Sequence, residues 1–220
     1  MLLVAQFLSL AFSAFLPLIN PLGSGIVFFG LVGPAPPEVY RRLALKIAIT
    51  TVVFLFIIDV SGAAVLAFFS ISLPVVQLAG GLVVVAIGWR LLNEESSGTR
   101  EGMVAPGFDA RSLDEKVFYP FTFPITAGPG TLAVAITLSA HATQKTMFAT
   151  VLAHTGILAA VILNCIAVYF CYAYAPRLTA RISRQTIRGI LNVIAFILLC
   201  IGAQIAWNGV QQLIQSVTKH

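Results

Sequence analysis

Charged side chains are scarce in this sequence. Only 10% of its 220 residues are Asp, Glu, Lys or Arg, whereas 59% are hydrophobic. A soluble domain carries ~25% charged residues, and so few charges cannot cover a surface that faces water. The composition therefore excludes an ordinary soluble protein and predicts a membrane protein. The net charge of +5 comes from basic residues between hydrophobic segments, so membrane topology explains it and we expect no nucleic-acid partner.

Residues that hold metals or perform catalysis are also few. The three cysteines, Cys165, Cys171 and Cys200, all lie in apolar stretches and have no spacing typical of a disulfide framework or a metal site. The sequence contains no HExxH motif, no glycine-rich phosphate loop and no Ser/His/Asp arrangement. We therefore expect no enzyme, no metal site and no bound cofactor.

The hydrophobic residues form six runs, each long enough to cross a bilayer as a helix of ~20 residues. Helices are expected because hydrocarbon forces the backbone to satisfy its own hydrogen bonds. The first run has no basic residue before it and no cleavage-type break, so we expect it to be retained. The runs cover residues 2–31, 43–69, 71–92, 117–140, 146–175 and 189–214.

The basic residues cluster on one side of the predicted bundle. Of the 13 Lys and Arg, all but Lys145 and Lys219 lie between spans one and two, in or beside the central linker, or between spans five and six. The positive-inside rule places these connections in the cytoplasm. We predict a multi-pass protein of a bacterial-type inner membrane with both termini on the non-cytoplasmic side.

A polar stretch at 93–116 divides the chain into two sets of three spans, at 1–92 and 117–220. Because three is odd, spans one and four start on opposite sides of the membrane, so a repeat between the halves must be inverted. The first span of each half is interrupted by proline and glycine, at FLPLINPLGSG and FTFPITAGPG. We predict an all-α membrane protein of two inverted three-helix repeats, with spans one and four discontinuous and residues 93–116 as a cytoplasmic linker.

The two interruptions are candidates for a substrate site. Proline and glycine free main-chain polar groups, which are tolerated inside a membrane only when they are buried in protein or line a cavity. A broken helix also presents one negative and one positive end. Two breaks around a shared chamber would suit a small zwitterion such as an amino acid; the alternative is a pair of proline kinks used only for packing. The candidate substrate-binding residues are Asn20, Pro21, Gly23 and Ser24 in the first break, and Thr126, Ala127, Gly128, Pro129, Gly130 and Thr131 in the second.

Two polar residues deep in spans two and five are candidates for coupling to an ion, either a proton or sodium. Asp59 is the only acidic residue well inside a span, where a carboxylate must face the interior, find a partner or be protonated. Asn164 has a similar place in the second half. The alternative is that Asp59 is hydrated near the outer end of span two. His154 in span five could relay protons or be a hydrogen-bonded interfacial histidine.

The third span of each half carries a packing pattern. Span six has Gln204, Asn208 and Gln211 on one helical face, which could line a path or hold helices together. Span three has small residues at 79–81 and Gly88, a pattern that favours close helix packing.

Three segments resemble the MarC/SnatA family of six-span inner-membrane proteins. They are INPLG (19–23), SISLPVVQLAGGLVVVAIG (70–88) and FPITAGPGT (123–131), and the similarity continues to IRGILNVIAFILLCIGAQIAWNG near the end. The resemblance implies an inverted fold of three plus three spans and, in SnatA-type members, transport of small neutral amino acids such as glycine and alanine. Residue by residue, Asn20, Pro21 and Gly23 match the first family break, and Thr126 with residues 128–131 matches the second.

These observations together predict a secondary transporter of small neutral amino acids that works without ATP. A proton or sodium gradient would supply the energy, and import and export both stay open. The alternatives are an exporter of another small solute and a non-transporting membrane scaffold. The expected partners are a zwitterionic small molecule and membrane lipids, and the sequence does not indicate an oligomeric state.

Overall fold

The computed structural model describes residues 2–93, 110–181 and 184–218. Within these ranges the chain is almost entirely helical and has no strand. Residues 94–109, most of the predicted polar linker, lie outside the description. The elements are α1 (Leu2–Ile19), α2 (Pro21–Val32), α3 (Pro37–Phe68), α4 (Leu73–Asn93), α5 (Ala110–Glu115), a wide-turn segment (Val117–Thr126), α6 (Pro129–Ala142), α7 (Met147–Ala173), α8 (Ala175–Arg181) and α9 (Arg184–Thr218).

The described helices provide the six predicted spans. Five stretches are long and apolar enough to cross a membrane, and the sixth is the wide-turn segment together with α6. Helices α1 and α2 form span one, broken at Asn20. The two parts of span four meet at an angle of 74°. The all-α membrane fold and the breaks in spans one and four are confirmed, whereas the inverted repeat and its boundaries stay a prediction.

Helices α3 and α9 both begin earlier than hydropathy predicts. Helix α3 starts at Pro37, where proline suits a first helical turn because its missing N–H has no intrahelical acceptor there. It continues through Arg41, Arg42 and Lys46, the residues that we assigned to a loop. Long basic side chains can extend from a helix end to the polar interface, so the helix continues although the apolar run has not begun.

The wide-turn segment Val117–Thr126 follows from two prolines close together. Pro120 and Pro124 offer no N–H and their rings clash with the preceding turn, so an ordinary α-helix cannot pass through them. The backbone is extended at Tyr119 and Phe123, the residues before the two prolines. Between them the N–H of Phe121 donates to the carbonyl of Lys116, five residues back, at 3.2 Å. This geometry redirects the chain before α6 begins.

Helix α7 lies at the centre of the bundle, and α4 pairs with α9. Helix α7 packs against α1, α2 and α3, while α6 packs against α3 and α4. The main buried cluster is formed mostly by residues of α1, α2, α3, α6 and α7. Residues of both predicted breaks, Ile19, Thr126 and Ala127 among them, are buried in this part of the protein.

The predicted close packing of small residues is found between α4 and α9. A Cβ atom at Gly202 would lie 2.6 Å from the backbone N of Val85 and 2.8 Å from the carbonyl O of Gly81. One at Gly88 would lie 2.8 Å from the backbone N of Leu199. The two backbones thus touch, with no room for a side chain between them.

We expect Gly202→Ala to lower the free energy of unfolding by about 1–3 kcal/mol, the usual cost of overpacking. Gly30→Ala is the matched control, because a Cβ there meets nothing within 4 Å and alanine favours helix by up to about 1 kcal/mol. Thermal unfolding of the purified protein in detergent measures both. Equal effects of the two substitutions would contradict the close contact of α4 and α9.

Candidate substrate site

The first break is centred on Asn20, whose backbone is left-handed at φ 44° and ψ 68°. Asparagine tolerates this conformation better than most residues with a side chain. Its Oδ1 accepts a hydrogen bond of 3.0 Å from the N–H of Gly23 and so caps α2. A Cβ at Gly23 would collide with the Asn20 carboxamide. Asn20 and Gly23 therefore allow α2 to begin immediately after α1 ends, with only Asn20 between the two helices.

Several main-chain carbonyls at this break accept no hydrogen bond of the α1 or α2 ladder. The N–H of Asn20 donates to the carbonyl of Leu16 at 2.9 Å, and the next bond of the ladder runs from the N–H of Ser24 to the carbonyl of Asn20, also at 2.9 Å. Pro21 has no N–H to donate. The carbonyls of residues 17–19 thus end α1 without a following turn, and they form the negative end of a helix inside the bundle.

The second break presents the opposite helix end. Ala127 and Gly128 have non-helical backbones, with ψ 84° and 179°, before α6 starts at Pro129. No side chain of the described residues caps the start of this helix, and the first-turn residues Gly130 and Thr131 are buried. N–H groups of a first helical turn lack intrahelical acceptors and carry positive partial charge. The second break therefore places a positive helix end within the protein.

Tyr172, near the end of α7, connects the two breaks. Its hydroxyl lies 2.8 Å from Oγ1 of Thr126. Because Thr126 Oγ1 itself donates to the carbonyl of Phe121 at 2.7 Å, the tyrosine is the donor to the threonine. On the side of the first break the Tyr172 ring lies next to Gly25, where a Cβ atom would be 3.5 Å from Cδ1 of the tyrosine. Sequence reasoning missed Tyr172, because a tyrosine near the end of a membrane helix is more typical of an interfacial anchor.

Buried aromatic rings pack beside this contact on the predicted cytoplasmic side. The ring of Phe28 stacks on Tyr172 with centroids 4.5 Å apart, and it meets Phe121 and Tyr40 edge-on at 5.1 and 5.8 Å. All four side chains are almost inaccessible to solvent. Tyr40 in turn donates to the carbonyl of Gly33, between spans one and two, at 2.6 Å. We call Phe28, Tyr40, Phe121 and Tyr172 the aromatic plug.

The space between the breaks thus differs from the shared chamber that we expected. In the described residues, side chains of the two breaks and Tyr172 are in contact there. A small groove lies beside the first break. Its described lining belongs to α2, the end of α7 and α8, and includes Gly25, Cys171 and Leu178 but no residue of the second break. An amino acid would fit between the breaks only after these side chains separate.

Buried Asp59 and half-buried His154 form a pair nearer the predicted outer surface. Nδ1 of His154 lies 2.9 Å from Oδ2 of Asp59, and Ser139 donates a hydrogen bond to the backbone carbonyl of Asp59. These residues tie together α3, α7 and α6. The Asp59 side chain is 4% exposed, so the interpretation of Asp59 as a hydrated residue at the helix end is wrong. Its Oδ1 is buried and has no partner in the described part of the chain.

Asn164, the second coupling candidate, lies at a different depth. Its Nδ2 donates to the carbonyl of Ala160 at 2.9 Å, whereas its buried Oδ1 has no partner among residues that the structure describes. At 1.5 Å per residue, Asn164 is ~15 Å along α7 from His154 and ~12 Å from Tyr172. The structure therefore does not bring the two coupling candidates together, but it places Asn164 between the Asp59–His154 pair and the breaks.

The polar face of span six is directed away from the bundle. Gln204, Asn208 and Gln211 are all exposed on α9. Nε2 of Gln204 donates to Oδ1 of Asn208 at 2.9 Å, which is a bond within one helix. Within one chain these residues neither line a path between the described helices nor hold two of them together.

These features define a multi-span helical membrane protein with two broken spans around buried polar groups. A family model described as MarC family integral membrane protein matches residues 5–214, and the chain belongs to this family. It is similar to the UPF0056 inner membrane protein MarC of Escherichia coli K12 and of Shigella flexneri, each 27% identical over 210 residues that cover 91% of this chain and 92% of the relative. No solved structure matches. The protein is a multi-pass inner-membrane protein, and the orientation of its termini stays a prediction.

The bond between Tyr172 and Thr126 can be measured by a double-mutant cycle. We expect Tyr172→Phe to cost about 1 kcal/mol of unfolding free energy, because the Thr126 hydroxyl keeps its bond to Phe121. Thr126→Val should cost more, since it leaves the tyrosine hydroxyl buried with a partner missing, and the double variant should cost less than the sum. Denaturant unfolding in detergent gives the values.

Tyr169→Phe is the matched control for this cycle, because Tyr169 also lies on α7 but its ring faces Phe170 at the surface. We expect almost no change in stability. Additive costs for Tyr172→Phe and Thr126→Val would show that the two hydroxyls do not interact.

Proposed function

We propose that the protein is a secondary transporter of small neutral amino acids such as glycine and alanine. The observation that carries this proposal is that two broken helices with oppositely charged ends meet beside Tyr172. The positive end at Gly130 and Thr131 suits a carboxylate, and the carbonyls of residues 17–19 suit an ammonium group. The two groups of a zwitterion would thus find complementary partners without any charged side chain.

The size of the residues around the breaks favours a small substrate. Gly23 and Ser24 follow the first break, and Gly128 and Gly130 flank the start of α6. A Cβ at Gly130 would already lie 2.5 Å from Cγ2 of Val84. A site with so little space around it suits an amino acid with a hydrogen or a methyl side chain better than a bulky one.

Unpartnered buried atoms are a second argument for a polar ligand. Besides Asp59 and Asn164, the hydroxyl of Thr122 in the wide-turn segment is buried and has no partner among the described residues. Buried polar groups in proteins nearly always have a partner, so such atoms call for a bound water, ion or ligand. Thr122 precedes the second break by one wide turn and is therefore well placed to contact solutes that reach it.

Transport would require the aromatic plug to open. In this conformation the plug separates the breaks from the predicted cytoplasmic loops. Tyr172 contacts Thr126 of the second break through its hydroxyl and Phe28 of α2 through its ring. Span one packs against span five, and span four packs against span two. This reciprocal pairing is what two inverted halves would give, so it supports alternating access by movement of one half against the other.

We further propose that Asp59 and His154 couple transport to an ion. The pair joins α3 of the first half to α7 of the second, so movement of the halves would disturb it. A carboxylate beside an imidazole can hold a proton, and the unpartnered Oδ1 could equally coordinate sodium. Both ions stay candidates, and gradients imposed on liposomes can distinguish them.

We expect liposomes containing the wild-type protein to take up labelled glycine and alanine, and Gly128→Leu to abolish uptake because its side chain fills the second break. Gly30→Leu is the matched control, since it places the same side chain in a helix where a Cβ meets nothing within 4 Å. Substrate-induced thermal stabilisation measures binding separately. Unchanged uptake in Gly128→Leu would exclude the break from the mechanism, and stabilisation by another solute alone would favour an exporter of that solute.

We expect Asp59→Asn to remove the dependence of uptake on the coupling gradient while glycine still binds. The measurement is uptake with an imposed pH gradient or an imposed sodium gradient, each tested on its own. Glu38→Gln is the control, because Glu38 is an exposed acidic residue in the first turn of the same helix. Identical gradient profiles for the wild type and Asp59→Asn would end the coupling hypothesis.

A further inference from the structure

Three amides form a polar stripe on the outer surface of α9. Gln204, Asn208 and Gln211 are exposed and lie on one helical face, and we call them the amide stripe. The candidate span of this helix is Asn192–Ser216, so Gln204 lies at its middle. The neighbouring helix α4 supports this depth. Gly81 lies near the middle of the span of α4 and contacts the backbone of α9 around Gly202, two residues before Gln204. The stripe thus begins at the centre of the membrane.

Hydrocarbon cannot satisfy these amides. The bond from Gln204 Nε2 to Asn208 Oδ1 uses one donor and one acceptor. The other carboxamide atoms, Oε1 of Gln204 and Nδ2 of Asn208, have no further hydrogen bond to any residue that the structure describes. A polar group without a partner in the bilayer core costs several kcal/mol. An exposed amide at this depth therefore requires a polar partner from another molecule.

We propose that the amide stripe is an interface between two copies of this chain. Two copies inserted in the same direction are related by a two-fold axis along the membrane normal. Each residue of the stripe then lies at the same depth as the equivalent residue of the other copy. An amide carries both a donor and an acceptor and is therefore complementary to itself, which a carboxylate or an ammonium group is not. The stripe is thus suited to a second copy rather than to a charged partner.

The rest of the α9 surface is compatible with this interface. Residues 189–218 include no charged side chain, so two α9 helices could approach without repulsion. The stripe residues are four and three positions apart, the spacing of a helix–helix seam. Exposed apolar side chains continue the surface above and below the stripe, including Ile197 and Ile214. The opposite side of α9 packs against α4, so the interface would leave the helices around the two breaks unobstructed.

Disulfide crosslinking in native membranes tests the inference. Cys200 is exposed one turn before the stripe, so the assay starts from Cys200→Ser and adds Gln204→Cys or, as matched control, Leu163→Cys on the exposed face of α7. We expect an oxidised product of twice the chain mass for the cysteine at position 204 and none for the cysteine at 163. Equal crosslinking at both positions, or a product that contains a different protein, would overturn the proposal.

A dilution series in liposomes measures the strength of the interface. We expect fluorescently labelled wild-type protein to dimerise, and Gln204→Leu with Asn208→Leu to weaken the dimer about tenfold, since the leucines remove the polar contacts between the two helices. Ile197→Leu, an apolar exchange on the same surface, should change nothing. A wild-type protein that stays monomeric at the highest density, or an equally strong dimer in the double variant, would overturn the inference. Thermal unfolding of each variant shows that it is folded.

Discussion

The fold depends on one constraint: inside a bilayer, every main-chain polar group that leaves a helix must be buried in the protein or line a cavity. Breaking span one at Asn20 and span four at Ala127 is possible because buried groups surround both places. Asn20 caps the helix that it starts, Thr126 bonds back to its own segment, and Tyr172 donates to Thr126. The breaks lie against α7, where the buried core can meet this requirement.

Helix α7 arranges the polar groups of the core at three depths. His154 holds Asp59 nearer the predicted outer surface, and Tyr172 lies at the breaks. Asn164 lies between them, and its Oδ1 has no hydrogen-bond partner in the described ranges. Apolar side chains such as Ile157, Val161 and Val168 separate them and pack in the core. Helix α7 therefore provides both a packing surface for the other helices and polar side chains at successive depths along the proposed transport path.

Local patterns predicted the local features. Hydropathy located the spans, and proline with glycine located both breaks, because these effects act within a few residues. The helix starts at Pro37 and Arg184 were missed, since basic residues can extend a helix beyond the apolar core. Tyr172 at the breaks and the pairing of Asp59 with His154 were also missed, because they depend on how distant helices pack. The single acid and the histidine in the outer parts of two spans were the only signal for that pair.

The Asp59–His154 pair joins the two halves of the chain, so the charge of Asp59 and the separation of the halves would affect each other. Asp59 belongs to the first half of the chain, whereas His154 and Ser139 belong to the second. If the halves part, the carboxylate loses its counterpart and must either meet water or become neutral. Neutralising it and separating the halves then favour each other to the same extent, as thermodynamic linkage requires. In the proposed transport cycle, this one contact would make the conformation of the bundle depend on the ions around it.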